Sequence, residues 1–326
     1  MSPILADSVR LTDDGVDILD RRVFPAERVW VHCGSVEDVA KAIEDMVTQS
    51  SGPYFAALWG MVLAAREAVS LSPEEARAHL DRAGVRLIET RRTNNHLRKA
   101  IAAALSEVDG QAGVDLVAAV RAGAEAGDER YRSRSAALGR HTAELLPDKG
   151  TVLTHCWADL YLVELVRAAA NKDLAFICTE TRPYLQGARL TAETLAEMGV
   201  DTTVITDGMG AAVLSSGKVD ALVTAADRVT MDGHVVNKIG TLGLAVAARA
   251  FDVPFHAMVQ APDRLAPTAD AVPIEYRDGT EVLDRPGIRG LYPAFDITPP
   301  RFVTTVVTDR GPFDPSRLAD YYKEVS

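Results

Sequence analysis

The sequence predicts an α/β protein, with a Rossmann-like C-terminal domain built on a mostly parallel sheet and, before it, a mainly helical N-terminal domain carrying a small β element. Three observations predict this. From Ser35 to about Leu146 the apolar residues recur with helical period, whereas from Thr151 short β-branched runs alternate with helical stretches. Strands that alternate with helices imply a parallel sheet covered on both faces. A turn-rich junction, Pro147-Asp148-Lys149-Gly150, separates the two regimes and places domains at 1–147 and 148–326. A length of 326 residues is also more than one hydrophobic core usually organises.

The elements follow in order. Val16-Asp17-Ile18-Leu19-Asp20 alternates after the turn signal Asp13-Asp14-Gly15, and Val29-Trp30-Val31-His32-Cys33 is a second β-rich run. Ser35-Val36-Glu37-Asp38 reads as a helix N-cap with acids in the first turn; Val39, Ile43, Met46 and Val47 then share one face. Ser72-Pro73-Glu74-Glu75 repeats the start signal, with Pro at the first helical position. Further helices are expected over Asn95–Val108, Gly113–Ala126 and Glu129–Leu145. In the second half, strands are expected at Thr151–Thr154, Ala175–Thr179, Thr203–Thr206, Ala221–Thr224, Pro254–Val259 and Phe302–Thr308. Helices are expected between them, over Leu160–Ala170, Leu190–Met198, Met209–Ser215 and Thr241–Phe251.

Composition narrows the function class. A hydrophobic share of 47% with 25% charged residues is ordinary for a water-soluble globular protein. A net charge of -11 disfavours broad electrostatic adhesion to nucleic acid or to an anionic membrane, though a local basic pocket is compatible with it. No run of about 18 uninterrupted apolar residues occurs, so no membrane span is expected. Met1-Ser2-Pro3-Ile4-Leu5-Ala6-Asp7 lacks a basic segment before a long apolar one and is not expected to be a signal peptide. Cys33, Cys156 and Cys178 make neither a disulfide framework nor a zinc cluster, so a reduced cytoplasm is the expected setting. With no zinc motif, dinucleotide Gly-rich fingerprint or P-loop, no cofactor is expected.

The stretch from Asp227 to Thr241 carries the most chemistry. The apolar run Ala221-Leu222-Val223-Thr224-Ala225-Ala226 ends on the Asp227 carboxylate; a short loop is expected next, and Asn237-Lys238 is expected to open an apolar helix. In an open α/β sheet, ligands bind beyond the carboxyl ends of the strands. An acid there, a cation and free N–H groups at a helix start would suit an anionic small molecule.

Five motifs occur in order: Gly150-Thr151-Val152-Leu153-Thr154-His155-Cys156; Glu180-Thr181-Arg182-Pro183; Gln186-Gly187-Ala188-Arg189-Leu190-Thr191; Asp227 through Thr241; and Pro293-Ala294-Phe295-Asp296-Ile297-Thr298-Pro299. Together they resemble the methylthioribose-1-phosphate isomerase family, which is related to ribose-1,5-bisphosphate isomerases and to the regulatory subunits of the exchange factor for translation initiation factor two. The resemblance is specific over about residues 150–310 and weaker before that. It implies conversion of an aldose 1-phosphate to a ketose 1-phosphate, a sugar-phosphate ligand and a homodimer. In that chemistry the phosphate on O1 blocks ordinary ring opening. An acid must therefore protonate the ring oxygen while a second group handles the C2 hydrogen, and a carboxyl acts as acid near neutral pH when a largely apolar pocket raises its pKa.

Asp227 matches the family's acid; the bland alternative is a carboxylate paired with Arg228 or Lys238, or capping the turn. Cys156 matches the second active-site residue, against the alternative of a buried structural thiol, which is the reading for Cys33 and Cys178. His155 is expected to pack or to orient Cys156. Asn237, Lys238 and Gln186 match substrate contacts, with loop capping and solvation as alternatives; Gly187 and Gly240 fit close backbone approach. Arg189 is read as structural, through Glu180 or Glu193, and Arg182 as either that or a phosphate ligand. Arg91, in Thr90-Arg91-Arg92-Thr93-Asn94-Asn95, matches a phosphate-binding arginine, with Arg92 where the family has proline.

Two departures concern the substrate. Where the family has an Arg-Gly-Ala-Pro loop, this chain has Ser50-Ser51-Gly52-Pro53-Tyr54-Phe55, which leaves Ser51 and Gly52 as candidate substrate contacts without the arginine. Trp157 follows Cys156 where a small polar residue is common and is a candidate pocket wall, or else a core aromatic. The segment after Cys156 is also shorter than in the methylthioribose enzymes, as in the ribose-1,5-bisphosphate branch. Three readings follow: an isomerase of a 5-substituted or 5-deoxy ribose 1-phosphate, a ribose-1,5-bisphosphate isomerase, or a non-catalytic sugar-phosphate or nucleotide sensor like the exchange-factor subunits. Retention of both Cys156 and Asp227 argues against the third.

Overall fold

The computed structural model describes residues 2–91, 95–108 and 113–323. They form two compact units, one over residues 4–133 and one over residues 134–326 with the first three residues. Arg92, Thr93 and Asn94 of the upstream motif lie outside the described residues.

In the first unit, β1 (Val9–Leu11), β2 (Val16–Leu19) and β3 (Trp30–Cys33) make an antiparallel sheet in that order. Ile18 pairs with Val9 on one side and Val31 on the other. The N-cap of α1 (Val36–Glu44) is Ser35, whose hydroxyl accepts the Asp38 N–H at 3.2 Å. Helix α2 (Gly52–Glu67) is buried on nearly every side, so it has no amphipathic stripe by which periodicity could delimit it. It packs against α1, α3 (Pro73–Glu89) and α4 (Asn95–Ala104). Ser72 and Glu75 close a reciprocal capping box at the start of α3.

Two helices were expected over 113–145; α5 (Gly113–Glu144) is a single helix of 32 residues. Gly127 does not end it, because the missing side chain is what lets α5 approach α2 and α4. A Cβ there would come within 2.9 Å of Leu58 Cδ2 and 3.0 Å of Ala103 Cβ. Asp128 stays helical and pairs with Arg132 at 3.0 Å. The division between the compact units falls inside α5, before Arg134, while the change from helical to alternating structure falls at 145–149.

The second unit continues with β4 (Lys149–Thr154), α6 (Leu160–Ala168), β5 (Asp173–Thr179), a π-helical turn (Gly187–Thr191) leading into α7 (Ala192–Glu197), β6 (Thr202–Ile205), α8 (Gly210–Ser215) and β7 (Ala221–Ala225). After these come β8 (Arg228–Val229), β9 (Val235–Lys238), α9 (Thr241–Ala250), β10 (Phe255–Met258), β11 (Tyr276–Arg277), β12 (Tyr292–Pro293), β13 (Phe295–Thr298), β14 (Thr305–Thr308) and β15 (Gly311–Phe313). The main sheet runs β15-β14-β10-β7-β4-β5-β6, parallel throughout except for the edge strand β15. The chain steps outward from β4 to β6, returns to the other side of β4 as β7, and steps outward again. The order therefore reverses between β4 and β7, where Leu153 lies opposite Leu222. Leu153, Leu222, Phe255 and Val306, one from each of four neighbouring strands, are fully buried with Leu214, Leu244 and Leu318 from the flanking elements. Each such side chain contributes about 1.5–3 kcal/mol by leaving water.

Among the buried polar groups of this sheet is an imidazole. His256 lies in β10 between Val223 of β7 and Thr305 of β14; it is buried, and its Nδ1 has no hydrogen-bond partner among the described residues. Burial holds its pKa down at about 4, against an ordinary 6.5. Between those values the unfolded chain binds a proton that the folded chain does not, so His256 favours folding above pH 6.5 and loses that contribution as pH falls towards 4. Asp296, raised to about 6, titrates with the opposite sign in the same window, so the test is a difference between proteins. The stability advantage of His256→Gln over the wild type should grow by roughly 3 kcal/mol between pH 6.5 and pH 4 in urea melts. A constant difference would show that His256 is not held neutral.

Candidate active site

The reversal between β4 and β7 is where an open α/β sheet forms a crevice at its carboxyl edge. Cys156 follows β4 by two residues, and Asp227 follows β7 by two. The loops here are held in unusual conformations. Cys156 (φ 64°), Asp159 (φ 53°), Thr181 (φ 62°) and Leu185 (φ 59°) all adopt the left-handed region. Each costs about 1–3 kcal/mol and persists only where surrounding bonds enforce it. The bonds are present: the Cys156 N–H donates to Thr181 Oγ1 at 3.0 Å, and the Thr191 hydroxyl donates to the Cys156 carbonyl. Asp207, just beyond β6, accepts the Thr181 N–H at 2.8 Å and the Arg182 N–H at 2.7 Å. The loops after β4, β5 and β6 are thus tied together around Cys156.

His155 serves packing rather than chemistry. Its Nε2 donates to the Ile239 carbonyl at 2.9 Å, which fixes the neutral tautomer, and Nδ1 then accepts from the Thr179 hydroxyl at 2.5 Å. Burial lowers its pKa, and the Lys238 charge adds to that. The ring lies against Gly240, where a Cβ would come within 3.0 Å of Cε1 and Nε2 and where φ is +108°; both require glycine. Gly187 has a like reason, since a Cβ would stand 1.8 Å from the Thr179 carbonyl oxygen. It begins the π-helical turn that follows Gln186, which is buried.

The expected layout of the Asp227–Thr241 stretch needs correction. Residues 228–238 are a β-hairpin, β8 and β9, and Asn237-Lys238 ends a strand; α9 begins at Thr241. The third strand of that small sheet is β13, in which Phe295 pairs with Lys238 and Asp296 with Asn237. Two N–H groups at the start of α9 are already taken. The Asp296 carboxylate accepts from Gly240 N–H at 2.7 Å and Leu242 N–H at 3.1 Å. Burial raises Asp296 to about 6 despite those donors. Asn237 is also partly engaged, as its Nδ2 donates to Thr241 Oγ1 at 3.0 Å.

Lys238 is a buried cation in electrostatic reach of Cys156. It is 8% exposed, and among the described residues no carboxylate lies within ion-pair distance of Nζ. Its neighbours are aromatic faces, with Nζ 4.7 Å from the Phe295 ring centroid and 5.8 Å from that of Tyr292. Its charge reaches Cys156 and pulls the thiol downward, but burial dominates and pushes the thiol up to about 11. Asp227 adds to the upward push, so Cys156, Asp227 and Lys238 sense one another. Trp157 is buried beside Cys156. The apolar surroundings expected of the acid are found at Cys156 and Lys238; Asp227 itself is exposed. Arg228 pairs with Asp263 at 3.1 Å, and Arg182 donates to the Val282 carbonyl at 2.9 Å. Cys33 and Cys178 are buried thiols, the first raised to about 11 and the second to about 12 by burial.

The remaining candidates belong to the first unit. Arg91 follows α3, half-buried, with its guanidinium against Met46 Sδ. Ser51 is buried at the N-cap position of α2, and Gly52 opens the helix where a Cβ would meet Thr48 Oγ1 at 1.8 Å. Among the described residues no group of His, Cys, Asp and Glu side chains could hold a metal ion, and no helix is long and apolar enough to cross a membrane.

Residues 49–315 match the model of the initiation factor 2 subunit family. The chain belongs to that family. Among its relatives, the methylthioribose-1-phosphate isomerase of Koribacter versatilis is 36% identical over 97% of both chains. That of Chloroflexus aurantiacus is 37% identical over 94% of this chain and 95% of its own. The 5-methylthioribose 1-phosphate isomerase of Pyrococcus horikoshii OT3 shares the fold with a TM-score of 0.87 and 28% identity, covering 97% of this chain and 96% of that one. A second solved structure, eIF-2B subunit delta from A. fulgidus, has a TM-score of 0.83 and 32% identity, covering 94% and 96%. The initiation factor 2 subunit match takes in every candidate residue named above. Sequence reasoning singled out the Pro293–Pro299 motif without a role for Asp296 or Phe295, and it passed over Asp207 and Tyr292. Asp207 stands just after a strand end, a signal that could have found it.

Proposed function

We propose that the chain is an aldose–ketose isomerase that converts a 5-substituted ribose 1-phosphate, methylthioribose 1-phosphate first among them, to the corresponding ribulose 1-phosphate. The observation that carries this reading is the pairing of Cys156 and Asp227 just beyond the two strands that flank the sheet reversal, with a buried Lys238 in electrostatic reach of Cys156. Lys238 offsets the phosphate charge, and Gln186 and Asn237 contact substrate oxygens. Asp227 protonates the ring oxygen as the C1–O bond to it opens, and Cys156 assists transfer of the hydrogen from C2 to C1. In the free chain Asp227 is exposed, and the bound sugar displaces water from it. Trp157 lines the pocket beside Cys156. Arg91, Ser51 and Gly52 are carried as substrate contacts by the sequence resemblance alone, as is a homodimer.

The test is turnover without added cofactor on ribose 1-phosphates bearing 5-methylthio, 5-deoxy, 5-hydroxy and 5-phospho groups, followed by NMR. The expected result is conversion of the methylthio compound with the highest kcat/KM. Preference for the 5-phospho compound would move the substrate to a bisphosphate. No turnover on any of the four would favour a binding protein.

A further inference from the structure

Tyr292 lies in β12, in register with Arg277 of β11 and three residues before Phe295, which pairs with Lys238. It is 3% exposed, and among the described residues its hydroxyl has no hydrogen-bond partner. A buried tyrosine hydroxyl normally finds one, and a phenylalanine of the same shape would fill the space without burying an unsatisfied group. Its neighbour Tyr184, with ring centroids 6.4 Å apart, shows the contrast: the Tyr184 hydroxyl accepts from Arg277 at 2.6 Å, and Arg277 is itself held by Glu281 at 3.0 Å. The Tyr292 ring stands beside the candidate site, its centroid 5.8 Å from Lys238 Nζ. Burial raises its pKa above the ordinary value and Glu281 adds to that, so the phenol keeps its proton at neutral pH and can donate it in a hydrogen bond.

We propose that Tyr292 is a substrate-binding residue whose hydroxyl donates a hydrogen bond to an oxygen of the sugar phosphate that Lys238 holds. This rests on the isomerase reading above. It gives β12 a function that the five sequence motifs do not include, since Tyr292 immediately precedes the last of them.

The experiment compares wild type and Tyr292→Phe in kcat, KM and Tm on methylthioribose 1-phosphate. The expected result is a loss of about tenfold or more in kcat/KM with Tm unchanged or raised, because the variant removes a hydrogen bond to substrate and an unsatisfied buried group together. An active wild type with the variant within about twofold in kcat/KM would overturn the inference alone. A lowered Tm would show that the hydroxyl has a structural partner and would also overturn it. A wild type inactive on every ribose 1-phosphate tested would remove the isomerase reading and this inference with it.

Discussion

Asp227→Asn is expected to fold as the wild type does and to lose about 10²–10⁴-fold in kcat. The side chain is exposed just after β7, and Asn keeps its shape, so stability should change by no more than about 0.5 kcal/mol. What the variant removes is the proton. An amide cannot protonate the ring oxygen, and without that step the O1 phosphate keeps the sugar closed. KM should change little, since Lys238 and the other contacts remain. Steady-state kinetics with a thermal melt as control decide the matter; near-normal kcat in a folded variant would take Asp227 out of the mechanism.

Cys156→Ala should produce a loss of the same order, about 10²–10⁴-fold in kcat, again with a folded protein. The thiol also predicts a chemical signature. Because burial pushes Cys156 up to about 11, it is a neutral thiol at pH 7, and thiolate is the species that alkylating reagents attack. Inactivation by iodoacetamide should be slow at neutral pH and should accelerate about tenfold per pH unit towards pH 11. Mass spectrometry should find the label on Cys156, since Cys33 and Cys178 are buried and also raised. Fast inactivation at pH 7 would mean that Lys238 outweighs burial and that the resting site holds a thiolate.

The sheet was legible because each strand is short, β-branched and bounded by turns, and because alternation with helices implies parallel pairing. The positions of Cys156 and Asp227 just beyond strand ends were legible from the same pattern. The helical boundary inside α5 was misread, since Gly127 looks like a break until Leu58 and Ala103 are seen against it. The hairpin of β8 and β9 reads in sequence as a loop and a helix start because the strand that completes it, β13, lies more than 50 residues away. For the same reason Asp296 was missed as the occupant of the α9 N-terminus. Tyr292 is invisible to periodicity: it is significant through an unpaired hydroxyl, which has no signature in sequence.

Isomerisation at this site would move a hydrogen from C2 to C1 of a sugar 1-phosphate. Methylthioribose 1-phosphate labelled with ¹³C at C2, incubated with the purified protein and followed by NMR, tests it most directly. The C2 carbinol resonance is expected to give way to a ketone resonance. A C2 resonance unchanged in the presence of folded protein would contradict it.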